Sequence, residues 1–559
     1  SNATMVDSDG LLKWRPHNVA KYSEDFANAA WLIDVAGITK TATEITEAAL
    51  QGYHYTRQPM SIVGGRYTAT VDLKPNGRQW AWLYADTLGV ASAYFDLTNG
   101  VVGSTLGTGV TSSIIDLGDG YFRCTMSKTA ALAANFGFGL ATADGTTSYL
   151  GDVTKSLFAR KVHVYRSDLG GMVNNPDTSN SYVPTTTTPV FLSRRGHHIY
   201  NGSAWVNEGL LHESEARTNQ MVYSGDLTGA GWAGAATTGT VTTGSPFGTY
   251  QTISPTQNNT NLGSAQRYQI GKSITSGSTY VGWALVKYSA GSGWFAVNMY
   301  DTGKSNEQAY FDVQNGVVGS KQSLIIDHGM VDYGDGWWLC WASSNAASGS
   351  GGVAYEMPNG DGVQSCSSAD VVLIAGTQFE QGATPSSYIP ATTATATRAA
   401  ETLTVPAANL PYSSTNMSIQ MDGKMTYADT GISSEVEYYR WLLNGTNYIN
   451  STVQAYSSKT GEPVFSQRDS ATALDSVVGS GNTYSPDTNV PFNFAVRHGS
   501  TFINAANEGT LLTANTTPTA LPNLSSTDLN FGFDFMGTIG QYRMWSDDIT
   551  DAGITEAST

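Results

Sequence analysis

The sequence predicts an all-β protein: three antiparallel β-sandwich domains in tandem, of jelly-roll and concanavalin-like type. Three observations carry this. The stretch AYFDLTNGVVGS at 93–104 returns as AYFDVQNGVVGS at 309–320. A copy about 216 residues away is a duplicated domain, since solenoid units repeat every 20–50 residues or so. Charged residues are only 13% of the chain, and 60 Gly, 29 Tyr and 13 Trp stand among abundant Thr, Ser, Ala and Asn. That composition disfavours long helices and favours short strands with tight turns. The chain has 559 residues, room for three or four domains at roughly 100–200 residues each.

The first element is Tyr22-Ser23-Glu24-Asp25-Phe26 with Trp31, answered by Tyr223-Ser224-Gly225-Asp226-Leu227 with Trp232. The opening Ser1-Asn2-Ala3 looks like a scar of tag removal and is set aside. Tyr67 to Leu73 alternates apolar and polar residues, Pro75-Asn76-Gly77 turns, and the alternation resumes to Ala85, as strands with a half-buried face do. Asn99-Gly100 and Asn315-Gly316 signal hairpins, because Asn-Gly readily takes φ > 0 at both turn positions. Gly118-Asp119-Gly120 before Tyr121-Phe122-Arg123-Cys124 is matched by Gly334-Asp335-Gly336 before Trp337-Trp338-Leu339-Cys340. The copies close on Ser181-Tyr182-Val183-Pro184 and Ser387-Tyr388-Ile389-Pro390. The expected boundaries are 18–190 for the first module, 191–218 for a connector with one hairpin, 219–392 for the second module, 393–401 for a Thr/Ala-rich linker and 402–559 for a third, unrelated domain. Thr550 to Ala557 reads as a short closing helix.

Several classes are excluded by bulk properties. The formal net charge is −17, whereas nucleic-acid binding needs a basic surface. No apolar run is long enough to span a membrane, and no signal-peptide pattern opens the sequence. Cys124, Cys340 and Cys366 show no zinc spacing; Cys124 and Cys340 occupy equivalent places and read as small core residues. No GxSxG, HExxH or phosphate-loop motif occurs.

The aromatic residues are the candidate binding groups. Trp80, Trp82 and Tyr84 alternate with Ala81, Leu83 and Ala85, so one face of that strand is aromatic. An exposed ring stacks on the apolar C–H face of a sugar; a ring turned inward is core. The equivalent strand in the second copy carries Trp294 and Tyr300. Trp337, Trp338 and Trp341 follow the second Gly-Asp-Gly turn; Trp338 is the candidate, because adjacent strand residues point opposite ways. Tyr439 and Trp441 stand beside Glu435 and Glu437 in the third domain. Two carboxylates on one strand face are the minimal equipment of a glycosidase; a solvated edge strand is the plainer account. Asp96, Asp116 and Asp119 recur as Asp312, Asp332 and Asp335. Turn-capping by Asp explains the recurrence; carboxylates of this kind could also hold a structural calcium.

Together, the Tyr22 to Trp31 opening, the Asn99-Gly100 hairpin, the Gly118 to Cys124 strand and the Ser181 to Pro184 close resemble the carbohydrate-binding-module-like jelly rolls of phage and prophage tail proteins. Glu215-Ala216-Arg217-Thr218-Asn219 and Thr395-Ala396-Thr397-Arg398-Ala399-Ala400-Glu401 are similar to the lead-in and exit of such modules. The third domain, ending Ile539…Tyr542-Arg543-Met544-Trp545, is similar to concanavalin-like (laminin-G-like) lectin domains. The resemblance implies non-catalytic glycan binding and host-surface adhesion by a tail or spike protein. Its partners would be a cell-surface polysaccharide and other virion proteins, with homo-oligomerisation adding avidity. Its place would be a phage-like particle, made in a bacterial cytoplasm without a signal peptide. A ligand-free structural spacer and a glycan depolymerase are the alternatives.

Overall fold

A computed structural model describes residues 2–559 except 35, 61, 63, 86–89, 131–133, 265, 302, 305–306, 430–433, 457 and 471–473. Almost every element is a strand and the pairings between named strands are antiparallel. The chain forms two compact units, Lys13–Ser193 and a second made of Ser1–Leu12 with Arg194–Thr559.

The unit Lys13–Ser193 holds two facing sheets of six described strands each. One runs in the order Val101–Leu106, Ala91–Asp96, Trp80–Ala85, Ala134–Ala141, Gln51–Met60, Ser148–Leu150. The other runs Thr111–Asp116, Phe122–Ala130, Gly65–Asn76, Ser156–Arg166, Glu44–Glu47, Ile38–Lys40. Ala81, Leu83, Phe95, Phe138 and Leu140 of the first meet Val71, Leu73, Cys124 and Leu157 of the second in one core. Asn18 ties the ends together: its amide donates to the carbonyls of Val162 and Val183.

The second copy repeats this order. Val317–Lys321, Gln308–Asp312, Trp294–Asp301, Ser350–Glu356 and Gln266–Ser273 form one sheet; Ile325–Asp332, Trp337–Asn345, Thr279–Ala290, Val371–Gln381 and Gly248–Pro255 lead the other. Asn219 donates to Thr377 and Ile389 carbonyls, as Asn18 does in the first copy. Cys340 is fully buried in this core, as Cys124 is in the other, and both are free thiols.

The third domain is a sandwich of a sheet containing Met536–Trp545, Asn416–Tyr427, Asp487–Gly499 and Ile503–Asn507 over one containing Leu529–Phe533, Glu435–Asn444, Asn447–Gln454 and Pro463–Arg468. The helix Thr550–Ala557 closes it. Here the connector does more than lead in. Besides a hairpin of His198–Tyr200 with Trp205–Asn207, it supplies Leu210–Glu213, which pairs with Met536–Trp545 and extends the third domain's sheet. The stretch expected as an extended linker is pinned to its neighbour. Ala396–Arg398 pairs with Arg217–Asn219, so the lead-in and exit motifs of the second copy lie side by side.

Buried charge explains that pinning. Arg194 donates to Glu213 at 2.7 Å and to Glu401 at 2.6 Å, and Arg398 lies 3.2 Å from Glu213. Arg194 and Arg398 are fully buried. Burial alone would raise the Glu213 acid, but Arg398 and Arg194 hold it far below the usual carboxylate range. Asn2 and Ala3, set aside in the sequence, are packed in the same unit, where the Asn2 amide donates to Thr397.

Candidate functional site

The strand Trp80–Ala85 sorts its side chains as its alternation requires. Ala81 and Leu83 face the core; Trp80, Trp82 and Tyr84 face the other way, with Tyr55 and Tyr94, in a separate aromatic cluster. Trp82 and Tyr84 nevertheless do not form an open platform, which corrects the expectation. Each is only 1% exposed. Trp82 stacks on Tyr84 at 5.2 Å and on Tyr94 at 6.4 Å, and Tyr55 meets both edge-on. The rings sink because their cross-strand partners are glycines, Trp82 opposite Gly139 and Tyr84 opposite Gly137. A Cβ at Gly137 would stand 2.2 Å from the Tyr84 ring, and one at Gly139 2.8 Å from the Trp82 indole nitrogen. The indole N–H of Trp82 and the hydroxyl of Tyr84 have no hydrogen-bond partner among the described residues. Burial first, then Tyr55, pushes the Tyr84 phenol far up.

Trp80 is different. It is partly exposed at the rim of this cluster, and it has a counterpart in every detail. Gly103 lies under it: a Cβ there would meet Asp144 Oδ1 at 2.6 Å and Trp80 Cζ3 at 2.8 Å. Asp144 Oδ1 accepts from the Ser104 backbone N–H at 2.9 Å and the Ser104 hydroxyl at 2.8 Å. In the second copy, a Cβ on Gly319 would meet Trp294 Cζ3 at 2.6 Å and Asp361 Oδ1 at 2.7 Å. Asp361 Oδ1 takes both Ser320 donors at 2.7 Å. Trp294 is partly exposed, and Asp144 and Asp361 are exposed. Each copy thus carries a corner of one ring, one carboxylate and one serine, held together over a glycine. Trp80 and Trp294 were legible in the sequence. Asp144 and Asp361 were not, because they come from loops about 40 residues downstream that share only an Asp-Gly pair, Asp144-Gly145 and Asp361-Gly362. The Gly-Ser that ends both copies of the duplicated stretch was the available signal.

The remaining candidates fall elsewhere. Tyr300 is partly exposed. Trp338 is partly buried against the second core, and its ring covers Gly316, where a Cβ would stand 2.3 Å from it; Phe122 covers Gly100 likewise. Trp337 and Trp341 are buried. Tyr439 and Trp441 are fully buried, which corrects their reading as ligand rings. The cause is a register shift between Glu437 and Tyr439. Such a bulge breaks the alternation, so Tyr438 and Tyr439 both turn into the core. The Trp441 indole donates to the Thr527 carbonyl. Glu435 is exposed, whereas Glu437 is 2% exposed and tied to Arg440 at 2.6 Å. Burial raises the Glu437 acid, and Arg440 offsets part of that rise.

The recurrent aspartates cap turns. Asp96 Oδ1 accepts the backbone N–H groups of Thr98 and Asn99, and Asp312 Oδ1 those of Gln314 and Asn315. Asp116 and Asp332 accept from Gly118 and Gly334, each at 2.8 Å. Asp119 takes the Tyr121 N–H and pairs with Arg160; Asp335 pairs with Lys287. Among the described residues, no three His, Cys, Asp or Glu side chains gather as a metal site. No described helix is long and apolar enough to cross a membrane.

No protein-family model matches the chain. No curated protein matches it. Among solved structures it is similar to the binding domain of botulinum neurotoxin serotype D, at 14% identity over 27% of this chain and 37% of that one, with a TM-score of 0.22. It is also similar to the N-terminal CBM22-1–CBM22-2 tandem domain of Paenibacillus barcinonensis Xyn10C, at 10% identity over 66% and 98% of the two chains, TM-score 0.22. Mouse laminin alpha1 domains LG4-5 align at 9% identity over 51% and 86%, TM-score 0.18. The chain spans 37% of the length of the first of these. At such scores the likenesses decide nothing about its ligand.

Proposed function

We propose that the protein is a non-catalytic glycan-binding protein of a phage, prophage or phage-like tail or spike, and that Trp80 with Asp144 and Trp294 with Asp361 are its sugar-contacting corners. The observation that carries this is the duplicated corner itself. In both copies a partly exposed indole stands beside an exposed carboxylate with one oxygen committed to serine and the other without a hydrogen bond among the described residues. An indole face stacks on a pyranose ring and a carboxylate oxygen accepts its hydroxyls. One such corner is a weak site; two on one chain, multiplied by a homo-oligomer, raise avidity through effective concentration. The tail setting rests on the resemblance of the module openings, exits and closing Ser-Tyr-Val-Pro and Ser-Tyr-Ile-Pro stretches.

The test is binding of the full chain to arrays of bacterial surface polysaccharides. Trp80→Ala and Trp294→Ala should each lower binding, and the double variant should reduce it by more than about tenfold, the factor corresponding to ~1.4 kcal/mol. Binding by the double variant undiminished from the wild-type level would remove the corners from the proposal. A wild-type chain that retains no glycan would leave the spacer reading in its place.

A further inference from the structure

The third domain carries a groove of about 530 Å³ on the face of its seven-stranded sheet that turns away from the core. Its floor comes from three neighbouring strands. Gln541, Arg543 and Trp545 alternate along Met536–Trp545 and therefore share a face. Gln420 lies opposite Arg543; Asp422 lies opposite Gln541 on one side and Asn493 on the other. One wall is the helix Thr550–Ala557, which docks where the sheet offers only Ala495 and Ala506 to Ile554.

We infer that this groove is a further saccharide site, specific for a neutral sugar. It stands apart from the module corners and does not rest on them. Four observations support it. Arg543, the one cation among the described residues that line the groove, is exposed and has no ion pair among the described residues. Trp545, two residues on, lines the groove and is partly exposed. Gln420 is 1% exposed; its amide nitrogen donates to Asp422 at 2.9 Å and Asn493 at 3.1 Å, while its carbonyl oxygen is buried without a donor among the described residues. Such an orphan acceptor is costly unless something donates to it. Finally, Asp422 is already positioned, its Oδ1 accepting the Gln541 backbone N–H at 3.0 Å. A sugar hydroxyl both donates and accepts, so neighbouring hydroxyls match a lining of amides, one carboxylate and one guanidinium. An acidic sugar fits worse, because its carboxylate would face Asp422 and Glu556 with Arg543 alone to offset them.

The probes are free maltose, cellobiose and lactose, read by saturation-transfer NMR on the full chain. The Trp80→Ala/Trp294→Ala variant should still give transfer from at least one of them. Adding Trp545→Ala should lower that remaining affinity by at least about tenfold. Arg543→Ala, a change at an exposed side chain that leaves the fold intact, should weaken it as well. No transfer from any of the three to the corner-deficient variant, or transfer unaffected by both Trp545→Ala and Arg543→Ala, overturns the inference. Loss of all binding with the corner variant alone would sink this site while supporting the corners.

Discussion

The two copies share a strand order, a core cysteine, an end-tying asparagine and a Trp–Asp corner, yet their outer faces are opposite in kind. On the corner-bearing sheet, the first copy pairs Trp82 with Gly139 and the second pairs Ala296 with Glu356. Bulk has been exchanged across one cross-strand pair, and an aromatic cluster has become a polar one. Glu356 accepts from Asn298 at 3.0 Å and Gln308, and Gln308 in turn accepts from Tyr310, Gln322 and Gln364. On the other sheet the change runs the opposite way. Asp72 and Arg123 of the first copy form a cross-strand ion pair at 2.8 Å; Leu285 and Leu339 stand there in the second. Thr70 and Thr125 are replaced by Trp283 and Trp341, each at most 1% exposed. Trp283 packs against Phe247 and Tyr388, and the N-terminal Leu12 bonds to Pro246 above them. A scaffold of one topology therefore serves as a separate unit with a charged back in one place and as a part cemented into a larger unit in the other.

The firmest way to break that comparison is Glu213→Ala, which leaves Arg194 and Arg398 buried with less compensation. Removing one partner of a buried charge network costs about 3–5 kcal/mol. In calorimetry the transition of the Arg194–Thr559 unit should drop while that of Lys13–Ser193 stays; a common shift would show that the units do not melt independently. Trp283→Thr installs the first copy's residue in the second and should cost about 3–5 kcal/mol, since a buried Trp is truncated. A near-neutral result by denaturant titration would mean the face is not cemented.

A third prediction concerns pH. Burial pushes the Glu356 acid up to about 7 from 4.5, with Asn298 and Gln308 opposing. The folded module keeps a proton that the unfolded chain releases above pH 4.5. Stability therefore falls as pH rises from 4.5 through about 7, by on the order of 3 kcal/mol in all. Glu356→Gln should flatten the thermal stability of its unit across that window, and an unchanged slope would assign the titration elsewhere. Replacing Asp72 and Arg123 together by Leu should change stability by less than about 1 kcal/mol, because an ion pair exchanged for apolar residues is often neutral. The smallest expected stability effect is that of Trp80→Ala and Trp294→Ala, whose rings sit at the rim; their effect belongs in the glycan measurement.

Much of the fold was legible because it rests on local rules. Asn-Gly turns, alternating strands and the duplicated stretch specify hairpins and a repeated sandwich, and even the short helix Thr550–Ala557 could be read from its segment. The alternation marked the aromatic strand as two-faced, but that Ala81 and Leu83 take the core side came only from the structure. How deep Trp82 and Tyr84 lie was not legible, since Gly137 and Gly139 opposite them are 50 or more residues away in the chain. Tyr439 escaped for another reason: a bulge shifts register by one residue and reverses every face beyond it.

What the amino-acid order settled alone is periodicity: which residues alternate, which turns bend, and that one domain was copied. Tertiary structure decided which faces are covered, which carboxylate reaches which ring, and where connector charges meet. Alternation is a property of neighbours along the backbone, whereas burial and pairing depend on segments brought together from far apart. Asp144 reaches Trp80, and Glu401 reaches Arg194, only after the sheets have closed.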